Sequence, residues 1–162
     1  MHSRAAELIE HLRLTPHPEG GYFREIYRSA GVVQQPAERQ ARNALTEIYF
    51  LLTEDDCSRW HQVALDEVWH YYEGADLELF WIEKDGSVCH HRRLGVMEAE
   101  RRRPVAVVPA GCWQGARTTG PYTLVGCTVA PGFMFADFRL LRNSPDEAAV
   151  IRERFADLAD LI

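Results

Sequence analysis

The stretch Trp60–Gly74, WHQVALDEVWHYYEG, decides how this chain folds and where its chemistry sits. Its fifteen positions hold two histidines, two adjacent carboxylates, two tryptophans and two tyrosines. Val68 and Tyr72 favour extended backbone, so strands present these polar groups at fixed depth. A solvated loop would not carry so many large aromatics, and a plain core would not carry so many ionisable groups. The mixture reads as the wall of a pocket. Side chains alternate along a strand, which places His61 and Val63 on one face and Trp60 and Gln62 on the other. Glu67, Trp69 and Tyr71 likewise share a face opposite Val68, His70 and Tyr72. His61 and Glu67 converge if the Ala64–Asp66 turn folds their strands together, whereas His70 joins them only through an irregular register.

Outward from this stretch, the signals are those of short strands. Thr46–Thr53, TEIYFLLT, is an almost continuous apolar run ending at the acidic turn Glu54-Asp55-Asp56. Leu77–Glu83 alternates before the hairpin turn Lys84-Asp85-Gly86, and Ser87–Leu94 returns. Val105–Val108, Trp113–Thr118, Tyr122–Val129 and Phe133–Leu140 follow, separated by Pro and Gly. Upstream, Tyr22–Ser29 has a half-exposed strand pattern, Leu14–Gly21 is an irregular Pro/Gly connection, and residues 30–44 are expected to form a long surface loop. A helix is expected at each end: residues 3–13, capped by Ser3, and a second opening at Ser144-Pro145 with Glu147 three residues past the cap. About nine strands without intervening helices make an all-β sandwich or barrel. No linker or repeat divides residues 1–162, so a single domain is expected.

At 162 residues the chain is long enough to bury roughly 68–70% of its unfolded surface. Its 46% hydrophobic and 26% charged residues are ordinary for a globular domain. A net charge of −6 argues against nonspecific binding to nucleic acid or anionic membranes, and the basic run Arg101–Arg103 reads as a solvated turn. No apolar run approaches the ~20 residues that span a bilayer. Cys57, Cys89, Cys112 and Cys127 form no CxxC pair, which fits free thiols in a reducing cytoplasm rather than a zinc knuckle or disulfide framework.

The spacing of His61, Val63, Glu67 and Gly74 resembles the first cupin motif, a His-x-His, Glu and Gly pattern. Pro109-Ala110-Gly111-Cys112-Trp113-Gln114 is similar to the second, Pro-x-Gly-x-x-His. Over residues 5–142, PHPEGGYFRE, TEIYFLL, VVPAGCWQGA and YTLVGCTVAPGFMFADF extend the resemblance to the cupin-5 (DUF985) family. It implies a cupin double-stranded β-helix, a jelly-roll barrel over about residues 20–142 with short N- and C-terminal helices, and a homodimer. It implies no settled reaction. Metal-binding cupins take two histidines and a glutamate from the first motif and a histidine from the second. Here Val63 and Gln114 stand at two of those places, leaving His61, Glu67 and the weak amide oxygen of Gln114 as the set for any divalent metal; transition metals want three or four strong ligands. No cofactor is therefore expected.

Without metal, the same positions form a pocket for a small organic ligand. His61 beside Glu67 can serve as a general base near neutral pH. Arg24, Tyr49, Trp69, His70, Tyr71 and Gln114 are the candidate ligand-binding residues, Arg24 because Gly20-Gly21 permits unusual backbone beside it and a guanidinium can grip phosphate or carboxylate. In cupins with this N-terminal arrangement, such a strand often crosses to the partner subunit. The metal-free sugar-nucleotide epimerases are the nearest precedent, because Arg59-Trp60-His61-Gln62 is similar to their base segment; a nucleotide sugar is the corresponding ligand. A noncatalytic binding module and a metal-dependent isomerase or dioxygenase with a reduced ligand set are the alternatives.

Overall fold

A computed structural model describes residues 1–34, 41–98 and 102–162. Helix α1 (Ser3–Leu12) precedes strands β1 (Thr15–Pro16), β2 (Tyr22–Arg28), β3 (Val32–Val33), β4 (Arg42–Asn43) and β5 (Thr46–Thr53). Then come β6 (Ser58–Val63), β7 (Glu67–Gly74), β8 (Leu77–Ile82), β9 (Cys89–Leu94), β10 (Val105–Val108), β11 (Trp113–Thr118), β12 (Tyr122–Val129) and β13 (Phe138–Leu140). Helix α2 (Pro145–Arg154) and a 3₁₀ segment (Ala156–Leu161) end the chain. One sheet has the order β1-β2-β5-β12-β7-β10 and the facing sheet β13-β6-β11-β8-β9. The pairings within both are antiparallel. The chain alternates between the sheets, as in a jelly roll.

Strand alternation sorts the side chains. On β5, Phe50 and Leu52 point inward with Trp69 of β7 and Val125 and Cys127 of β12. Leu51, Tyr49 and Leu124 lie on the other side, under Ala5 and Leu8 of α1. On β6 and β11, Trp60 and Trp113 face away from the barrel and are covered by Ala148, Ile151 and Leu161 of the C-terminal helices. Gly115 lies against this contact: a Cβ there would sit 3.2 Å from the Ser58 carbonyl and 3.4 Å from both the Trp60 ring and Leu161. The two helices thus plug the outer face of each sheet, and the barrel interior is free to specialise.

Several local expectations are corrected. The N-cap of α1 is His2, whose Nδ1 accepts from the Arg4 N–H at 3.2 Å, not Ser3. Ser144 precedes α2 without a side-chain cap bond; its hydroxyl accepts from Arg139 instead. Glu147 turns to Trp113 Nε1 and Arg139 rather than back to the cap. Part of the expected 30–44 loop is the antiparallel pair β3–β4, while residues 35–40 lie outside the described residues, as does Arg101 of the basic run. Arg102 is tied to Asp76 and Glu98 by ion pairs. β2 pairs with β5 of the same chain, Phe23 opposite Phe50. The four cysteines are free thiols, and among the described residues no helix is long and apolar enough to cross a membrane.

Candidate active site

The barrel interior is solid at one end and hollow at the other. Leu52, Leu77, Leu79, Leu94, Ala116 and Val125 fill the first. At the second, the inward positions of β5, β6, β7 and β12 enclose a cavity of about 300 Å³. Its polar wall is His17, Glu19, His61 and Glu67; its apolar wall includes Phe23, Phe50, Trp69 and the Phe133, Phe135, Phe138 group; Glu25 and Arg28 also line it.

His61 is held from behind. Its Nδ1 lies 2.8 Å from the Arg59 carbonyl and 3.4 Å from Glu19 Oε2. Both are acceptors at neutral pH, so Nδ1 must carry the proton, and the neutral ring's Nε2 is then a bare acceptor. Burial lowers the His61 pKa from its ordinary value, opposed by the Glu19 charge and the Arg59 carbonyl, and keeps the ring neutral. Phe138 stacks on it with centroids 5.5 Å apart.

Glu19 comes from the β1–β2 loop, and the sequence explains its placement. Gly20 and Gly21 both adopt positive φ, +114° and +68°, which only glycine tolerates cheaply. A Cβ on Gly20 would also meet Arg59 Nη1 at 2.6 Å. Asp56 accepts from the Gly21 N–H at 2.8 Å and from Arg59 at 2.9 Å, fastening the loop to the start of β6. The Glu19 carboxylate then accepts from Ser58 Oγ at 2.7 Å and lies 3.3 Å from His17 Nδ1. Burial alone would raise its pKa, but His61, His17 and the Ser58 hydroxyl outweigh that and hold it below the carboxylate range. An ionised carboxylate buried behind the imidazole is the result.

Glu67 is in the opposite condition. Burial first, and the Glu19 charge second, push its pKa from 4.5 up to about 8. It is therefore a neutral acid at pH 7, able to donate a proton. Gln114 fixes it: Trp69 Nε1 can only donate and does so to Gln114 Oε1 at 3.1 Å, which turns the Gln114 amide NH₂ toward Glu67 Oε2. Cys127 adds a side-chain hydrogen bond to the same carboxyl.

The candidate residues thus divide. His61, Glu67 and Trp69 line the cavity, and Gln114 stands directly behind Glu67. Tyr71 shares the inward face but packs into the solid end, its hydroxyl donating to the Gly74 carbonyl at 2.6 Å. Three expected residues lie elsewhere. His70 is on the outer face, 3.1 Å from Thr128 Oγ1, because the register of β7 is regular there. Tyr49 faces α1 and the Tyr72 ring. Arg24 donates to the Leu12 carbonyl at 3.0 Å, the alternation sending its neighbours Phe23 and Glu25 inward. His17, Glu19 and Arg28 were absent from the expected set. The pairing of His61 with Glu67 is corrected as well: its carboxylate partner is Glu19.

The donor set does not suit the metal of metal-binding cupins. Val63 offers no donor, the Gln114 oxygen is taken by Trp69, and its amide hydrogens point at Glu67. Among the described residues no group of three or more His, Cys, Asp or Glu side chains is arranged to hold a metal ion.

The barrel and its hollow end define the chain as a cupin. It belongs to the Cupin_5 family (DUF985) of the cupin superfamily, which matches residues 6–141. Uncharacterized protein YML079W of Saccharomyces cerevisiae is 27% identical over 175 residues, covering 98% of this chain and 86% of that protein. A hypothetical protein from Leishmania major superposes with TM-score 0.83 at 32% identity, over 98% of this chain and 96% of that one. Protein SO0799 from Shewanella oneidensis gives TM-score 0.76 at 36% identity, covering 84% and 83%. Oxalate decarboxylase from Bacillus subtilis gives TM-score 0.59 at 14% identity, over 91% of this chain and 36% of that one, a likeness of fold alone.

Proposed function

We propose that the cavity binds a small organic ligand and moves a proton on it without a metal, as an isomerase or epimerase does. One observation carries this reading: a histidine whose Nδ1–H is locked leaves Nε2 bare, in a cavity that also holds a protonated glutamic acid. Groups whose environments push their protonation states apart are the pattern of acid–base pairs. His61 Nε2 takes a proton from carbon or oxygen, and the imidazolium that forms is stabilised by the Glu19 carboxylate behind it and the Phe138 face beside it. Glu67 donates to the oxygen on which charge develops, held in place by Gln114.

The cavity narrows the ligand. About 300 Å³ is at the small end of ligand pockets. Arg28, which a diphosphate would need, already donates to both oxygens of Glu25, at 2.9 and 2.7 Å. These features favour a compact ligand over an entire nucleotide sugar.

The test is solvent exchange. Small ketones, ketoses and amino ketones incubated with the protein in deuterated water are followed by proton NMR for loss of C–H signal. We expect at least one to exchange, with the rate falling by about 10²–10⁴ in His61→Ala. No exchange with any compound leaves a noncatalytic binding module as the better reading, and exchange indifferent to His61→Ala places the chemistry elsewhere.

A further inference from the structure

The charge and aromatic lining of the cavity point to a class of ligand. Glu19 and Glu25 contribute two carboxylates, and among the described residues lining the cavity Arg28 is the one permanent cation. Arg28 is spent within the wall: besides its two bonds to Glu25 it donates to Asn43 Oδ1 at 3.1 Å and to the Phe133 carbonyl at 3.2 Å. Among the described lining residues, no donor of comparable strength is left for a ligand anion. His61 presents an acceptor.

Aromatic faces complete the lining. Phe133, Phe135 and Phe138 pack edge to face, with centroids 5.1 to 6.2 Å apart and planes 74° to 80° apart, so the group turns ring faces in several directions. Phe23 and Phe50 continue the wall around His17, at 4.5 and 5.8 Å from its ring. Ring faces carry negative potential and attract cations, most strongly where water is excluded. The Glu19 carboxylate, buried beside His17 and His61, adds a long-range pull in a low-dielectric space.

We propose that the ligand of this cavity is a small organic cation, an amine or quaternary ammonium, received by the phenylalanine faces and balanced by Glu19. This rests on the reading of the cavity as a ligand site and adds the charge of what it takes. An uncharged molecule of the same shape forgoes the cation attraction, and an anion meets Glu19 with no free cation among the described lining residues to offset it.

Three probes of one shape separate the cases: choline, 3,3-dimethyl-1-butanol and 3,3-dimethylbutanoate, bearing positive, zero and negative charge. Calorimetric titration of the full chain at pH 7.5 is expected to give choline at least ~10-fold tighter affinity than the alcohol, with no binding of the carboxylate. Glu19→Gln should reduce that ratio. Because Glu19 also anchors a loop, Phe135→Leu is the second variant; Phe135 is 56% exposed, so folding does not depend on it, and its loss should weaken choline more than the alcohol. If the alcohol or the carboxylate binds as tightly as choline, the cation assignment is wrong while the cavity remains a ligand site. If none of the three binds, the cation assignment is overturned as well, and the deuterium-exchange experiment decides separately whether the cavity acts on a ligand.

Discussion

Replacing Glu67 with glutamine is expected to make the protein more stable, and increasingly so as pH rises. The unfolded chain ionises this carboxyl near 4.5 and the folded chain near 8. Below pH 4.5 both states are protonated and the group is neutral in its effect. Between the two values the unfolded state gives up a proton that the folded state keeps, so folding loses about 1.4 kcal/mol per pH unit. The loss reaches about 3 kcal/mol at pH 7 and levels off near 5 kcal/mol above pH 8. Glutamine matches the shape of the protonated acid, offers an oxygen to the Gln114 amide, and has no proton to lose. Urea unfolding of both proteins at pH 5 and pH 8.5 isolates the effect, since groups common to both cancel in the difference. The stability gap in favour of Glu67→Gln should widen by about 4 kcal/mol between these pH values. A gap independent of pH would show that Glu67 is not held protonated, and would remove the acid from the proposed pair.

Further outcomes follow from the same contacts. Gln114→Leu leaves the buried Trp69 N–H and the Glu67 carboxyl without their partner, and should cost about 3 kcal/mol in urea unfolding; a cost below 1 kcal/mol would mean the relay contributes little. Glu19→Gln removes the charge that supports His61 protonation, so the pH at which His61 titrates by NMR should fall, and a rise would contradict the assigned pairing. On the outer face, a Cβ on Gly126 would run into Tyr72 Oη and lie 2.6 Å from Glu47 Oε1, so Gly126→Ala should lower stability by about 1–3 kcal/mol without affecting the cavity; an unchanged melting temperature would refute that crowding.

The central strands were legible because their sequence alternates with a period of two. In Glu67–Tyr72 that alternation separates Glu67 and Trp69 from His70, and the fold turns the first two inward and His70 outward. Tyr49 was misread for a physical reason: α1 covers the outer face of β5, so both faces of TEIYFLLT are apolar and parity carries no sign. Arg24 sits in a strand whose inward set is fixed only by Phe23 pairing opposite Phe50, a long-range register that no local pattern contains. Glu19 was hidden because polar residues in a Pro/Gly connection ordinarily face water. The available signal was the Gly20-Gly21 pair, which marks a backbone bent back on itself and able to carry its neighbours inward. His61 was legible as a candidate base, but its partner lies forty-two residues upstream and only folding brings the two together.

The proposed proton transfer depends on the tautomer of His61. Nitrogen-15 NMR of imidazole-labelled protein at pH 7 reads it directly. The structure predicts a proton on Nδ1 and a bare, pyridine-like Nε2. A proton on Nε2, or a fully protonated ring, would contradict the assignment of His61 as the base.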